Sequence, residues 1–147
     1  MEEKKEQKPK VERVLIVDDE QEMLDSLKRR FEIEDIEVEV AQNPLDALEI
    51  VKKDSINVVL TDIKMPDMDG VELLGRLKDM NPLCNVIIMT AYSNMSYLLD
   101  CFRAGASDYF AKPFGDVEIV VEAVKNALRR VSRLKKGLGF YDFPGTP

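Results

Sequence analysis

The sequence contains no histidine. That removes the side chain most used for proton transfer near neutral pH, for zinc ligation and for phosphohistidine chemistry. Two cysteines, Cys84 and Cys101, occur in 147 residues. They have no metal-ligand spacing and are too few for a disulfide framework, so a reducing, cytoplasmic setting is expected. No apolar run approaches the roughly 18 residues of a membrane span. The first ten residues, MEEKKEQKPK, offer no apolar stretch of the kind a secretion signal uses. Neither membrane insertion nor secretion is expected on this reading.

What is present suits one folded domain. The length matches the commonest domain size of roughly 100–150 residues, and 45% of the residues are hydrophobic, enough to bury a sizeable core. Charged residues make up 33%, yet Val, Ile, Leu and Phe are too plentiful for a disordered chain. The net charge of −7 is unevenly spread. Between residues 11 and 128 stand 24 acidic and 12 basic residues, a net −12. Such a body repels a phosphate backbone, so direct nucleic-acid binding is not expected. It does attract divalent cations. Residues 1–10 read as a solvated tail, 11–130 as the domain, and 131–147 as a helix extension followed by a Gly/Pro-rich tail or linker.

Short β-branched runs alternate with amphipathic helical stretches. The strands are Val14–Val17, Ile36–Ala41, Val58–Leu60, Val86–Met89 and Asp108–Phe110. In the second, Ile36, Val38 and Val40 alternate with Glu37 and Glu39, which marks one wet face and places it at a sheet edge. The other four, with apolar cores or buried surroundings, read as parallel strands covered on both faces. Between them lie helices striped by Met23, Leu24, Leu27 and Phe31; by Leu45, Leu48 and Val51 after Pro44; by Val71, Leu74 and Leu77; and by Met95, Leu98, Leu99 and Phe102, closed by Gly105 as a C′ residue. A fifth helix runs from about Asp116 to Lys136. Five strand–helix alternations predict a doubly wound α/β domain.

Ligands of such folds bind beyond the carboxyl ends of the strands. Strand 1 ends at Asp18-Asp19-Glu20, strand 3 at Thr61-Asp62, strand 4 at Thr90 and strand 5 at Lys112-Pro113. Right-handed crossovers bring these ends to one edge of the sheet. Three carboxylates, a hydroxyl and an ammonium then share a pocket. Clustered carboxylates repel one another unless a cation neutralises them, and Mg²⁺ is the hard, oxygen-seeking ion that fits. A phosphoryl group between that ion and Lys112 suits the charges. Each piece alone has a plainer reading: the acids as helix caps, Asp62 as a turn former, Thr90 and Lys112 as ordinary polar residues, Tyr109 as a half-buried core aromatic.

Asp18-Asp19, the run from Asp62 through Pro66 to Gly70, Thr90-Ala91 and the run Tyr109 to Phe114 closely resemble the receiver domain of two-component response regulators, over about residues 11–130. The resemblance implies a five-stranded parallel sheet in flavodoxin-like order 2-1-3-4-5 with five flanking helices. It implies that Asp62 accepts a phosphoryl group from a sensor histidine kinase or phosphotransfer protein. Asp19, Asp62 and the Lys64 backbone carbonyl would ligate Mg²⁺, and Asp18 would act through a water. Lys112, whose bond to Pro113 is typically cis in the family, would pair with the phosphoryl oxygens. Thr90 and Tyr109 would switch the face of helix 4, strand 5 and helix 5, which is also the expected homodimer surface. Lys64 and Tyr92 occupy the positions that tune hydrolysis of the acyl phosphate.

Two other readings of 62–71 are weaker. Asp67-Met68-Asp69-Gly70-Val71 fits the nucleophile motif of haloacid dehalogenase-type phosphatases, but that motif directly follows a strand. An EF-hand loop with Gly70 at its sixth position would need carboxylates where Met65 and Arg76 stand. In the last helix, Val117, Val120, Val124, Ala127, Val131 and Leu134 form a seam with 3-4 spacing. Its continuation through 131–136 is expected to leave the domain body. Arg129, Arg130, Arg133, Lys135 and Lys136 suit the negative end of the helix dipole or a linker helix. Phosphoryl acceptance with self-directed loss of phosphate, not catalysis on a metabolite, is the expected chemistry.

Overall fold

The computed structural model describes residues 12–92 and 94–139. Residues 1–10, and Phe140, Tyr141 and Phe143 of the expected C-terminal tail, lie outside that range. In chain order the elements are β1 (Arg13–Val17), α1 (Gln21–Ile33), β2 (Glu37–Ala41), α2 (Pro44–Lys53), β3 (Val58–Thr61), α3 (Gly70–Met80), β4 (Asn85–Thr90), α4 (Met95–Arg103), β5 (Ala106–Ala111) and α5 (Val117–Gly137). The five strands form one sheet in the order β2-β1-β3-β4-β5, every pair parallel. The expected fold class and strand order are both observed.

Period-two side-chain alternation divides the apolar strands between two cores. Leu15, Val17, Val59 and Ile88 face one layer with Ala47, Val51, Leu73, Leu74 and Leu77. Val14, Ile16, Val58, Leu60, Ile87 and Met89 face the other with Leu24, Leu27, Phe31, Val120 and Val124. Burial of each such side chain contributes about 1.5–3 kcal/mol. Helices α2, α3 and α4 therefore cover one face, and α1 and α5 the other.

Local chemistry sets the helix starts. Asn43, Asp69, Asn94 and Asp116 accept hydrogen bonds from backbone N–H groups of the first turns of α2, α3, α4 and α5, satisfying donors that have no partner within the helix. After α4, Gly105 takes φ 119°, a conformation open to glycine and unfavourable for other residues.

Three expectations need correction. β5 stands at the second edge, as the expected order places it, but it is less buried than expected: Ser107, Asp108 and Ala111 are exposed, while Tyr109 and Phe110 pack only partly buried against the two cores. In α4, only Leu98 and Cys101 are buried, while Met95, Leu99 and Phe102 are 71%, 45% and 41% exposed. The apolar stripe meets the body only at its Leu98 edge, with Cys101 and Tyr97 alongside, and its other members face solvent. In α5, Val131 is fully buried and Arg130 Nη1 lies 3.0 Å from Asn85 Oδ1. The helix still packs on the body at Val131, and the seam turns outward at Leu134, which is 42% exposed.

Candidate functional site

Backbone hydrogen bonds that continue the sheet ladder hold the key residues just past the strand ends. Asp18 N donates to Ala41 O (3.1 Å), Asp62 N to Val17 O (2.9 Å) and Lys112 N to Thr90 O (3.0 Å). Their side chains thus project from backbone fixed on a neighbouring strand. Lys112 and Pro113 are joined by a cis peptide bond.

The side chains of Asp18, Asp62 and Lys112 meet. Lys112 Nζ lies 2.5 Å from Asp18 Oδ2 and 2.9 Å from Asp62 Oδ2. All three are almost withdrawn from solvent, with side-chain exposures of 0% for Asp18, 10% for Asp62 and 7% for Lys112. Burial pushes the Asp18 carboxyl above the ordinary range, against the opposing pull of hydrogen bonds from Lys112 and Glu20 N. Burial also works to lower the Lys112 ammonium, but its bonds to Asp18 and Asp62 prevail and hold it above its ordinary value. The lysine therefore stays charged and bridges two buried acids.

Short backbone bonds fix the acids further. Asp18 Oδ1 accepts from Glu20 N (2.9 Å), and Asp62 Oδ1 accepts from Lys64 N (2.9 Å). Glu20, the N-cap of α1, makes no side-chain cap bond, so its carboxylate is not used in capping that helix. One carboxylate oxygen from each of the three lies within 4.8 Å of the others, Asp18 buried and Asp19 and Glu20 exposed. Such an oxygen-only set, beside a buried ammonium already serving as counter-charge, fits a hard divalent cation. Glu20 is the member of this group that sequence reading left without a role, although it stands in the same acidic triplet.

Thr90 adjoins this centre through the backbone, its carbonyl accepting from Lys112 N. Thr90 is 1% exposed, and its Oγ1 accepts from Tyr92 N at 3.1 Å. Tyr109 is half-buried against the core on the α2–α4 side. Lys64 Nζ stands 4.3 Å from the centroid of the Tyr92 ring, a cation–π arrangement. The loop after Asp62 is closed by an antiparallel bridge between Lys64 and Asp69. Asp67 sits inside it, exposed and at φ 80°, so the phosphatase-type motif starts in a turn and not directly after a strand.

Sequence reading missed Tyr97. Its hydroxyl donates to Asp69 Oδ1 (2.9 Å) and accepts from Gly70 N (2.9 Å). Asn94 three residues earlier is readable as a helix cap, but nothing local in the sequence says where a tyrosine on the first turn of α4 will reach. Among the described residues, no helix is long and apolar enough to cross a membrane.

Comparison with known proteins agrees with this fold. The family model described as "Response regulator receiver domain" matches residues 14–125. Sporulation initiation phosphotransferase F of Bacillus subtilis (strain 168) is 41% identical over 117 residues, covering 80% of this chain and 94% of that protein. Regulatory protein AtoC of Escherichia coli (strain K12) is 36% identical over 126 residues, 86% of this chain but only 27% of that longer protein. Among solved structures, a CheY-like receiver domain protein from Methanospirillum hungatei JF-1 superposes with a TM-score of 0.80 at 34% identity, covering 84% of this chain and 98% of that one. The beryllofluoride-activated NtrC4 receiver domain dimer superposes with a TM-score of 0.76 at 30% identity, covering 81% and 98%. With its sheet order, its acid-and-lysine centre and these relatives in agreement, the chain belongs to the response regulator receiver domain family of two-component signalling.

Proposed function

We propose that Asp62 is the phosphoacceptor of this receiver domain and that its phosphorylation switches the α4–β5–α5 face. The reading rests above all on one observation: the Lys112 ammonium is held between the Asp62 and Asp18 carboxylates, 2.9 Å and 2.5 Å away. A carboxylate so placed is pre-positioned beside the positive charge that a transferred phosphoryl group needs.

In the proposed reaction Asp62 attacks the phosphorus of a phosphohistidine on a sensor histidine kinase or phosphotransfer protein. The new O–P bond forms as the P–N bond breaks, and the imidazole leaves with the electron pair. None of these 147 residues is a histidine, so the phosphoryl donor lies outside them. Asp19, Asp62 and the Lys64 carbonyl are the proposed Mg²⁺ ligands, with Asp18 acting through a water. Bound Mg²⁺ would supply charge neutralisation at the phosphoryl oxygens, the main requirement of phosphoryl transfer besides positioning. Lys112 pairs with the same oxygens.

Phosphorylation adds about one negative charge at Asp62. Thr90, whose hydroxyl now accepts from Tyr92 N, rotates to donate to the phosphoryl group, and Tyr109 moves inward behind it. That coupling converts a local charge into a two-state shift. The switched face controls a partner, a second copy of this chain or an output domain. Lys64 and Tyr92, in cation–π contact, tune hydrolysis, which returns the Asp62 carboxylate and inorganic phosphate. The domain works in the cytoplasm as a signalling phosphoacceptor, without direct nucleic-acid binding. Residues 11–130 form its functional unit and 131–147 its extension.

The test is incubation with acetyl phosphate and Mg²⁺ followed by intact mass measurement. Wild type should gain one labile phosphoryl group and Asp62→Asn none. Equal gain by both would assign the acceptor elsewhere; no gain by wild type would count against the reading.

A further inference from the structure

The Tyr97 hydroxyl ties two elements together. Tyr97 lies on the first turn of α4, where Asn94 Oδ1 accepts from its backbone N–H (3.1 Å). Its hydroxyl reaches across to the start of α3, donating to Asp69 Oδ1 and accepting from Gly70 N, each at 2.9 Å. Asp69 Oδ1 also accepts from Val71 N at 2.7 Å. One tyrosine oxygen thus completes the N-terminal cap of α3 by satisfying a donor that the helix itself cannot.

The same ring closes a circuit. Its edge packs on Tyr92, centroids 5.7 Å apart and planes at 77°; Lys64 stands over the Tyr92 ring; and Lys64 is bridged to Asp69. Lys64 N in turn donates to Asp62 Oδ1. Three steps therefore join the Asp62 carboxylate to α4: Asp62 to Lys64, Lys64 to Asp69, Asp69 to Tyr97. None uses Thr90 or Tyr109. Burial and the adjacent Asp69 carboxylate push the Tyr97 hydroxyl up to about 12, so it remains a proton donor under ordinary conditions.

Helix α4 is seated on the body through a narrow apolar contact. Only Leu98 and Cys101 of its nine residues are buried, and Met95 and Leu99 are exposed beside Tyr97. The Tyr97 hydroxyl adds to that contact a directional tie to the start of α3. We propose that the Tyr97 hydroxyl is a positioning clamp that joins α4 to the 62–70 loop, giving a second route of coupling between the Asp62 site and α4. Because coupling between sites is reciprocal, a partner seated on α4 alters the loop through the same clamp. The inference rests on Asp62 being the phosphoacceptor.

The experiment is a titration of ¹⁵N-labelled protein with beryllofluoride and Mg²⁺, comparing wild type with Tyr97→Phe, which keeps the ring and removes the hydroxyl. In wild type, amide shifts should appear in the 62–70 loop, at Thr90 and Tyr109, and along 95–103. In Tyr97→Phe the shifts along 95–103 should fall to less than half, while those at Thr90 and Tyr109 persist. A merely structural role would alter resting spectra without separating the two sets of shifts. Undiminished shifts along 95–103 would overturn the clamp and leave the phosphoacceptor reading intact. Absence of any response in wild type would overturn both. If Tyr97→Phe fails to fold, Asp69→Ser, which keeps a short cap acceptor but not the reach to Tyr97, is held to the same outcomes.

Discussion

Lys112 and Asp62, fifty positions apart in sequence, stand with ammonium and carboxylate 2.9 Å apart because β3 and β5 end on the same side of the sheet. The pair is buried and shares its cation with Asp18, so the fate of either acid depends on that one charge.

Removing it should therefore be costly. Lys112→Ala leaves two buried carboxylates facing one another, and loss of one partner of a buried ion pair typically destabilises by about 3 kcal/mol or more. Urea denaturation should show that loss, and added Mg²⁺ should restore much of it by supplying a replacement cation to the same oxygens. A variant as stable as wild type without Mg²⁺ would mean that the lysine is not the counter-charge it resembles.

Gly70 is close-packed against the loop it terminates. A Cβ built there would lie 2.5 Å from Ile63 Cβ and 2.9 Å from Ile63 O. Gly70→Ala should lower stability by about 1–3 kcal/mol, the usual cost of overpacking, as read from the thermal midpoint. Because the nearest atoms are a Cβ and a backbone carbonyl, adding Ile63→Ala should recover little; full recovery would show that only the outer part of the isoleucine was in the way.

Both thiols are buried. Burial pushes Cys84 up to about 12 and Cys101 up to about 11, leaving almost no thiolate, the reactive form. Iodoacetamide at mildly alkaline pH should leave the folded protein unlabelled and add two groups in denaturant, counted by intact mass. Labelling of the native protein at either cysteine would contradict the packing described for α4 or for the start of β4.

Glu34 joins α1 to α5, accepting from Lys125 Nζ at 3.0 Å and from Arg30 Nη1 at 3.0 Å. Those two bonds, Lys125 first, hold its carboxyl below the ordinary 4.5. A group depressed on folding stabilises the native state above its unfolded value and loses that contribution as pH falls through its folded value. Stability should thus decline from about pH 4.5 downward, and Glu34→Gln should flatten part of that decline. Melting curves between neutral pH and about pH 3 would show it; parallel curves for the two proteins would remove Glu34 from the account.

Much of the fold was legible because periodicity reports burial directly. The Glu37 and Glu39 alternation placed β2 at an edge, and the apolar runs of β1, β3 and β4 marked the sheet centre. The burial of β5 was overestimated because a short aromatic-bearing run does not say how many of its other side chains meet solvent. Helix α4 was misjudged for another reason: Met95, Leu98, Leu99 and Phe102 form one apolar stripe, but the helix is rotated so that only its Leu98 edge, with Tyr97 and Cys101, meets the body. At the site, Asp18, Asp62, Thr90 and Lys112 could be placed because strand ends converge by topology. The Tyr97 bonds depend on how α4 approaches α3, and no local pattern encodes that approach.

The bridge between Lys64 and Asp69 makes the segment after Asp62 a small hoop, shaped when the protein folds and not when a visitor arrives. Association there then demands little new ordering of the chain. Its strength would then depend on stripping water from charged oxygens, and the proposed occupancy of this cleft should follow ionic conditions more than chain flexibility.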